Sequence, residues 1–277
     1  MHGRTRLLFA LILLAAPFAR AQSSATLSPQ SPHSTFAWPN GKRAAIVLTY
    51  DDGIQSHLNI AIPQLDEAHL KGTFFIKADN LTPKDMLRWR AAARAGHELG
   101  NHSLYHPCPR SILPQERYAS DNYTPENMVL EIGIMNDILF GIDGQETRTY
   151  DYPCAQWIVG GVDFTEALRR SGLVKYARDG GDQYKSVVTD FSKIDPLHIP
   201  SWGFLDHPPG SQLIAYAKRV EDAGGLGVYM FHGVGGDYLE VTADAHRELL
   251  AYLQQHPEIW VGTFQEVLDY VMSHRPQ

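Results

Sequence analysis

Short apolar runs alternate with stretches whose apolar residues recur every three to four positions, from about residue 45 to the end of the chain. The run Ala45-Ile46-Val47-Leu48-Thr49-Tyr50 reads as a buried strand and ends in Asp51-Asp52-Gly53. Leu58, Ile62, Leu65 and Ala68 predict a helix over 56–69, kinked at Pro63. A strand is expected at 72–76, a helix opened by Thr82 and Pro83 to about 95, and a short strand at 96–101. Further on, helices are predicted at 125–140, 164–171, 211–223 and 242–255. Strands are predicted at 147–152, 174–178, 227–231 and 259–261, and Thr263-Phe264-Gln265-Glu266 is a capping box for the last helix. The stretch 102–124 has no period, and a loop this long in a domain is usually functional; 179–209 is again loop-rich, with Trp202 within it.

Strand and helix alternate throughout, which predicts an α/β fold with a parallel sheet. About seven strand–helix units suit a deformed (β/α) barrel of about seven strands better than an open sheet. The polar residues Asp51, Asp52, His102, His106, Tyr150 to Cys154, Arg178 and His232 follow the strand-like runs. In a barrel all of them converge on the face formed by the strand C-termini, where sites are built.

The 277 residues suffice for one large domain, and a formal net charge of −7 excludes the basic footprint of a nucleic-acid binder. At the N-terminus, Arg4 and Arg6 precede the apolar run 7–18 and the small-x-small pattern Ala19-Arg20-Ala21. This predicts a signal peptide over 1–21, a Ser- and Pro-rich leader over 22–40 and the domain proper over 41–275. The expected location is periplasmic or secreted, with no stable membrane insertion after cleavage. In that oxidising setting a disulfide between Cys108 and Cys154 becomes admissible.

His102-Ser103-Leu104-Tyr105-His106 is an H-x-x-x-H pair without the Glu of a zincin. With a carboxylate from the first strand it makes a His-His-Asp set that leaves room for water and substrate on a first-row metal. Only one of Asp51 and Asp52 need ligate; the other, ionised beside a cation, can take a proton from water. His232, before Gly233-Val234-Gly235-Gly236, could protonate a leaving amine or alkoxide. No G-x-S-x-G elbow is present, so the usual serine-hydrolase signal is missing.

These residues carry a resemblance. Thr49-Tyr50-Asp51-Asp52-Gly53 and His102-Ser103-Leu104-Tyr105-His106 look like the first two motifs of the polysaccharide deacetylases, the NodB-homology domains of carbohydrate esterase family 4. Tyr229-Met230-Phe231-His232 and Thr263-Phe264-Gln265-Glu266-Val267 are similar to its last motif and closing segment. The resemblance implies a deformed barrel and removal of acetyl groups from acetylated oligo- or polysaccharides, as amide or ester. It implies Asp51 as base, Asp52, His102 and His106 as metal ligands, His232 as acid, and Ser103 as a hydrogen-bonding prop of the second motif. Zinc is the expected metal, although cobalt, nickel or manganese could use the same ligands.

The third motif departs from the family's R-x-P-Y/F. Aligned on Pro153, it has Asp151 in place of Arg and Cys154 in place of the aromatic. A backbone N–H at Cys154 could still serve the oxyanion, with Tyr150 beside it in the same segment. Arg178 is expected to steady Asp51 in place of the missing Arg; Arg148, three residues before Asp151, points to the other face of its strand. Cys108 follows the second motif and Cys154 ends the third, so a Cys108–Cys154 disulfide is expected to pin the site. Trp202 and Tyr105 are candidates to line a sugar cleft. The function expected is an exported, metal-dependent glycan deacetylase. The alternatives are an acetylxylan-type esterase or a catalytically inactive carbohydrate-binding protein of the same fold.

Overall fold

A computed structural model describes residues 36–276, so the expected signal peptide and most of the expected leader lie outside the described residues. The parallel strands are β1 (Ala44–Tyr50), β2 (Thr73–Ile76), β3 (Glu98–Asn101) and β4 (Thr149–Asp151). A small hairpin follows, β5 (Ile158–Val159) and β6 (Val162–Asp163), then β7 (Tyr176–Arg178), β8 (Trp202–Gly203), β9 (Leu226–Phe231) and β10 (Ile259–Gly262). Seven of these lie side by side in the order β7-β4-β3-β2-β1-β9-β8, and β10 pairs with the first half of β1. Residues 199–203 join the two ends. Ile199 exchanges backbone hydrogen bonds with β7, while Trp202 and Gly203 pair with β9. The sheet thereby curls into the expected deformed barrel.

The helices lie around the sheet: α1 (Ile62–Glu67), α2 (Pro83–Arg94), α3 (Pro125–Asp143), α4 (Thr165–Ser171), α5 (Gly210–Ala223), α6 (Ala243–Gln255) and α7 (Phe264–His274). β1 is buried at every position because both its faces are covered, which explains its unbroken apolar run. Leu48 and Tyr50 face the core under α5 and α6; Ala45 and Val47 face the core that α7 closes with Phe264, Val267 and Leu268. The predicted kink at Pro63 is a π-helical turn, His57–Ala61, leading into α1. Proline has no N–H to donate, and the wider turn absorbs the break.

Three details differ from expectation. The packed domain begins before Gly41: Trp38 is buried against Phe191, Trp260 and Tyr270, and its Nε1 donates to Gly224 O at 3.0 Å. The stretch 179–209 is not all loop, since it supplies β8. The β5–β6 hairpin turns at Gly160-Gly161, both at positive φ, too short a pair of strands to show a period.

Candidate active site

β1 delivers Asp51 and Asp52 to the C-terminal end of the sheet. The turn needs Gly53, at φ +62°, because a Cβ there would sit 2.9 Å from Ile76 Cγ2. Asp52 itself is held at φ +76°, and Ser103, His106 and Cys154 also take left-handed conformations. Such strain clusters where the surrounding structure fixes side chains for a task.

The loop after β3 is braced from below. Asn101 Oδ1 accepts from Ser103 N–H at 2.7 Å, and Ser103 Oγ accepts from His106 N–H at 2.9 Å. From α3, Ile132 O and Asn136 Oδ1 accept from Asn101 Nδ2, and Glu131 accepts from Tyr105 N–H at 2.8 Å. The braced loop aims two imidazoles at Asp52. Its Oδ1 lies 3.7 Å from His102 Nε2 and 3.6 Å from His106 Nε2. On the other side, His102 Nδ1 lies 3.0 Å from the Asp151 carbonyl and 3.0 Å from Asp151 Oδ2. That fixes the proton on Nδ1 and turns the Nε2 lone pair toward Asp52. Burial, reinforced by His106, pushes His102 down to about 3, so the ring is neutral; burial lowers His106 as well. Burial would raise Asp52, but His102, His106, Lys77 and His232 reverse the sign and hold its carboxyl well below the usual range.

Asp52 Oδ1 is buried and has no hydrogen-bond partner, although Oδ2 accepts from Tyr238 OH at 2.7 Å. A buried carboxylate oxygen facing two imidazole lone pairs is an arrangement that a cation completes. Two other groups of potential ligands lie close by among the described residues. His106, Cys108 and Cys154 form one, but the cysteines are joined in the expected disulfide and offer no thiolate. Asp51, His102 and Asp151 form the other, and there Arg178 already supplies the positive charge. The Asp52-His102-His106 group is the one that fits.

Asp51 lies beside this group. Arg178, fully buried at the end of β7, places Nη2 at 2.6 Å from both Asp51 oxygens and 2.6 Å from Asp151 Oδ2. Its Nη1 donates to Ser201 Oγ at 3.1 Å, and its guanidinium lies over the Phe75 ring. Asp151 pairs with Arg178 in the β4–β7 register. Burial and the nearby Asp51 push the Asp151 carboxyl up, against the pull of Arg178. From β9, His232 brings Nε2 to 3.9 Å from Asp51 Oδ2 and 4.0 Å from Asp52 Oδ2.

Asp51, Asp52, His102, His106, His232 and Cys154 all line one cavity of about 910 Å³. Tyr105 is at its edge. Three predicted residues do not face it. Trp202 is core: its ring packs on Phe204, Tyr216 and Tyr229, because β8 turns it under the sheet. Tyr150 is fully buried against Tyr152 and the core under α3. Arg178 contacts Asp51 from behind rather than the space in front. Sequence reading missed Lys77, 3.6 Å from Asp52 Oδ1, and Tyr238. It also missed His57, whose Nε2 donates to His232 O at 2.8 Å while burial pushes the ring down to about 4. Lys77 follows β2 directly, so the rule that polar residues after strands face the site would have found it. Tyr238 sits in a glycine-rich loop with no such marker.

Fold and site thus define an α/β-barrel protein with an Asp-His-His group that could hold a cation, beside a buried, arginine-held aspartate. A family model described as "Polysaccharide deacetylase" matches residues 38–169, the stretch that carries the Asp51-Asp52 and His102-to-His106 motifs. A peptidoglycan-N-acetylmuramic acid deacetylase, PdaA of Bacillus subtilis, is 24% identical over 218 residues, covering 78% of this chain and 70% of the relative. A Mycobacterium smegmatis protein assigned to the polysaccharide deacetylases superposes with a TM-score of 0.61 at 17% identity, over 90% of this chain and 99% of the other. A family 4 acetyl xylan esterase from Clostridium thermocellum gives 0.51 at 17% identity, over 84% and 93%. At that identity the superpositions speak for the fold.

Proposed function

We propose that the protein is an exported, metal-dependent deacetylase of glycans, hydrolysing N-acetyl amides or O-acetyl esters on oligo- or polysaccharides. The observation that carries this reading is Asp52 Oδ1, buried without a hydrogen bond between His102 Nε2 and His106 Nε2, with Lys77 Nζ 3.6 Å away and Asp51 alongside. Asp52, His102 and His106 would hold the metal, and zinc suits a His-His-carboxylate set. A divalent cation in that position supplies Lewis acidity toward the acyl carbonyl and lowers the pKa of a water.

The chain's own groups do the rest. Asp51, held in place by Arg178 Nη2 at 2.6 Å from both its oxygens, accepts the proton of the attacking water. His232, facing the same space from β9, delivers a proton to the departing amine or alkoxide. The backbone N–H of Cys154 is the candidate oxyanion donor, and the disulfide to Cys108 ties its loop to the loop that bears His106. The Asp51–Arg178 pair performs the orienting task expected of the family's missing motif arginine.

The test is acetate release from chitooligosaccharides, acetylxylan and peptidoglycan fragments, the last two motivated by the relatives' substrates. Release that a chelator stops and added zinc restores is expected. Absence of release from every substrate, with zinc bound, would overturn the reading in favour of an inactive carbohydrate-binding protein.

A further inference from the structure

The cavity that holds the acidic and imidazole groups has a second half of different chemistry. Twelve large apolar side chains are exposed among the described residues, and five of them line this one cavity: Tyr105, Ile112, Leu113, Leu205 and Tyr238. Leu205 is 83% exposed, Ile112 47% and Leu113 43%. They come from three separate loops, after β3, β8 and β9, so no single stretch of sequence accounts for the clustering. Single exposed leucines are ordinary; aliphatic residues converging on one mouth mark a binding surface.

Bare sugar rings are recognised by flat aromatic faces and hydrogen bonds. Here Tyr105 stacks on Tyr118, with centroids 4.2 Å apart and planes at 17°, so each covers one face of the other. Among the other lining residues, which include Glu116 and Arg117, the branched aliphatic side chains Ile112, Leu113 and Leu205 gain most by covering methylene groups. The cavity's volume of about 910 Å³ is near the upper end of the roughly 300–1,000 Å³ usual for small-ligand sites, which leaves space beside a sugar.

We propose that Ile112, Leu113 and Leu205 form an alkyl-binding subsite at the mouth, and that the substrate is an acetylated sugar carrying an aliphatic chain. The sugar half of this assignment rests on the deacetylase reading; the alkyl half rests on the side chains of the mouth.

The test is a series of alkyl N-acetylglucosaminides, from methyl to octyl, each below its aggregation concentration. Dissociation constants are measured by calorimetry on the zinc-loaded protein, with acetate release followed in parallel. The expected result is a dissociation constant at least tenfold lower for octyl than for methyl, well within about fourfold per fully buried methylene. In an Ile112→Ser/Leu205→Ser variant the octyl-to-methyl ratio should fall toward one. A flat series, or a ratio that survives in the variant, overturns the subsite. A falling series that flattens in the variant keeps the subsite whether or not acetate is released, the deacetylase reading being decided by the substrate panel above; acetate release with a flat series overturns the subsite alone.

Discussion

At the start of β3, Glu98 gathers Thr73 Oγ1 at 2.9 Å, Thr149 Oγ1 and Gln265 N–H at 2.9 Å, tying β2, β4 and α7 together. At the other end of the sheet, β1 ends in Asp51 and Asp52. Both regions border a cavity, about 620 Å³ beside Glu98 and about 910 Å³ beside the aspartates. Both contain an arginine paired with carboxylate: Arg148 with Asp143, and Arg178 with Asp51 and Asp151. The difference lies in what is left over. Both arginines leave Nε without a hydrogen-bond partner, but beside Glu98 both carboxylate oxygens accept hydrogen bonds. Beside Asp52 the orphan is an anionic acceptor with imidazole lone pairs aimed at it. Cavity size does not separate a site from a structural junction, and neither does an unspent arginine donor; the unspent carboxylate oxygen does.

If that contrast is right, isosteric amides should act differently at the two ends. Asp51→Asn keeps the shape and removes the proposed base. We expect kcat to fall about 10³-fold, with zinc affinity by titration unchanged because the ligand set is intact. Activity near wild type would remove Asp51 from the mechanism. Arg178→Ala leaves two buried carboxylates facing each other without their cation. Breaking such a group costs about 3–5 kcal/mol, read as a lower denaturation midpoint, and acetate release should fall with it. A stable, fully active Arg178→Ala variant would show that Asp51 needs no partner. Asp151→Asn weakens the grip on His102 while the backbone carbonyl contact remains. Zinc affinity by chelator competition should drop about tenfold, the lower end for outer partners of a metal-bound histidine; unchanged affinity would leave Asp151 as merely the second anion on Arg178.

The residues that carry these predictions were unequally visible beforehand. Asp51, Asp52, His102 and His106 stood out because short motifs put them in fixed order after strands, and the alternation of elements implied the barrel that gathers them. Arg178 could be inferred from the same strand-end rule. Trp202 could not be placed, because β8 is only two residues long and is held by partners far away in sequence, so no local period shows which way its side chain points. Tyr150 stands one residue before Asp151, and alternation along β4 sends it to the opposite face. The disulfide needed both loops on one face, an inference from topology rather than from cysteine count. The orphan state of Asp52 Oδ1 has no sequence signature, since it depends on which neighbours fail to reach it.

The smallest expected effect is at the other end of the sheet. Glu98→Gln replaces one acceptor oxygen by a donor NH₂. Thr149 Oγ1 can rotate to accept from it, but Gln265 N–H cannot, and Thr73 Oγ1 already accepts from Phe264 N–H at 2.8 Å. The amide must therefore settle on the Thr149 side, keeping the other oxygen for Thr73 and α7. What is lost is charge at the N-terminus of α7, where an anion contributes roughly 0.3–1 kcal/mol. Burial raises the Glu98 carboxyl above its ordinary range, which trims that contribution further. We therefore expect at most about 1 kcal/mol, or about 2–4 °C in Tm for a domain of this size, and no change in kcat or zinc affinity. A Glu98→Gln variant that keeps its Tm but loses activity would make the cavity beside β3 a second functional site and would break the contrast between the two ends.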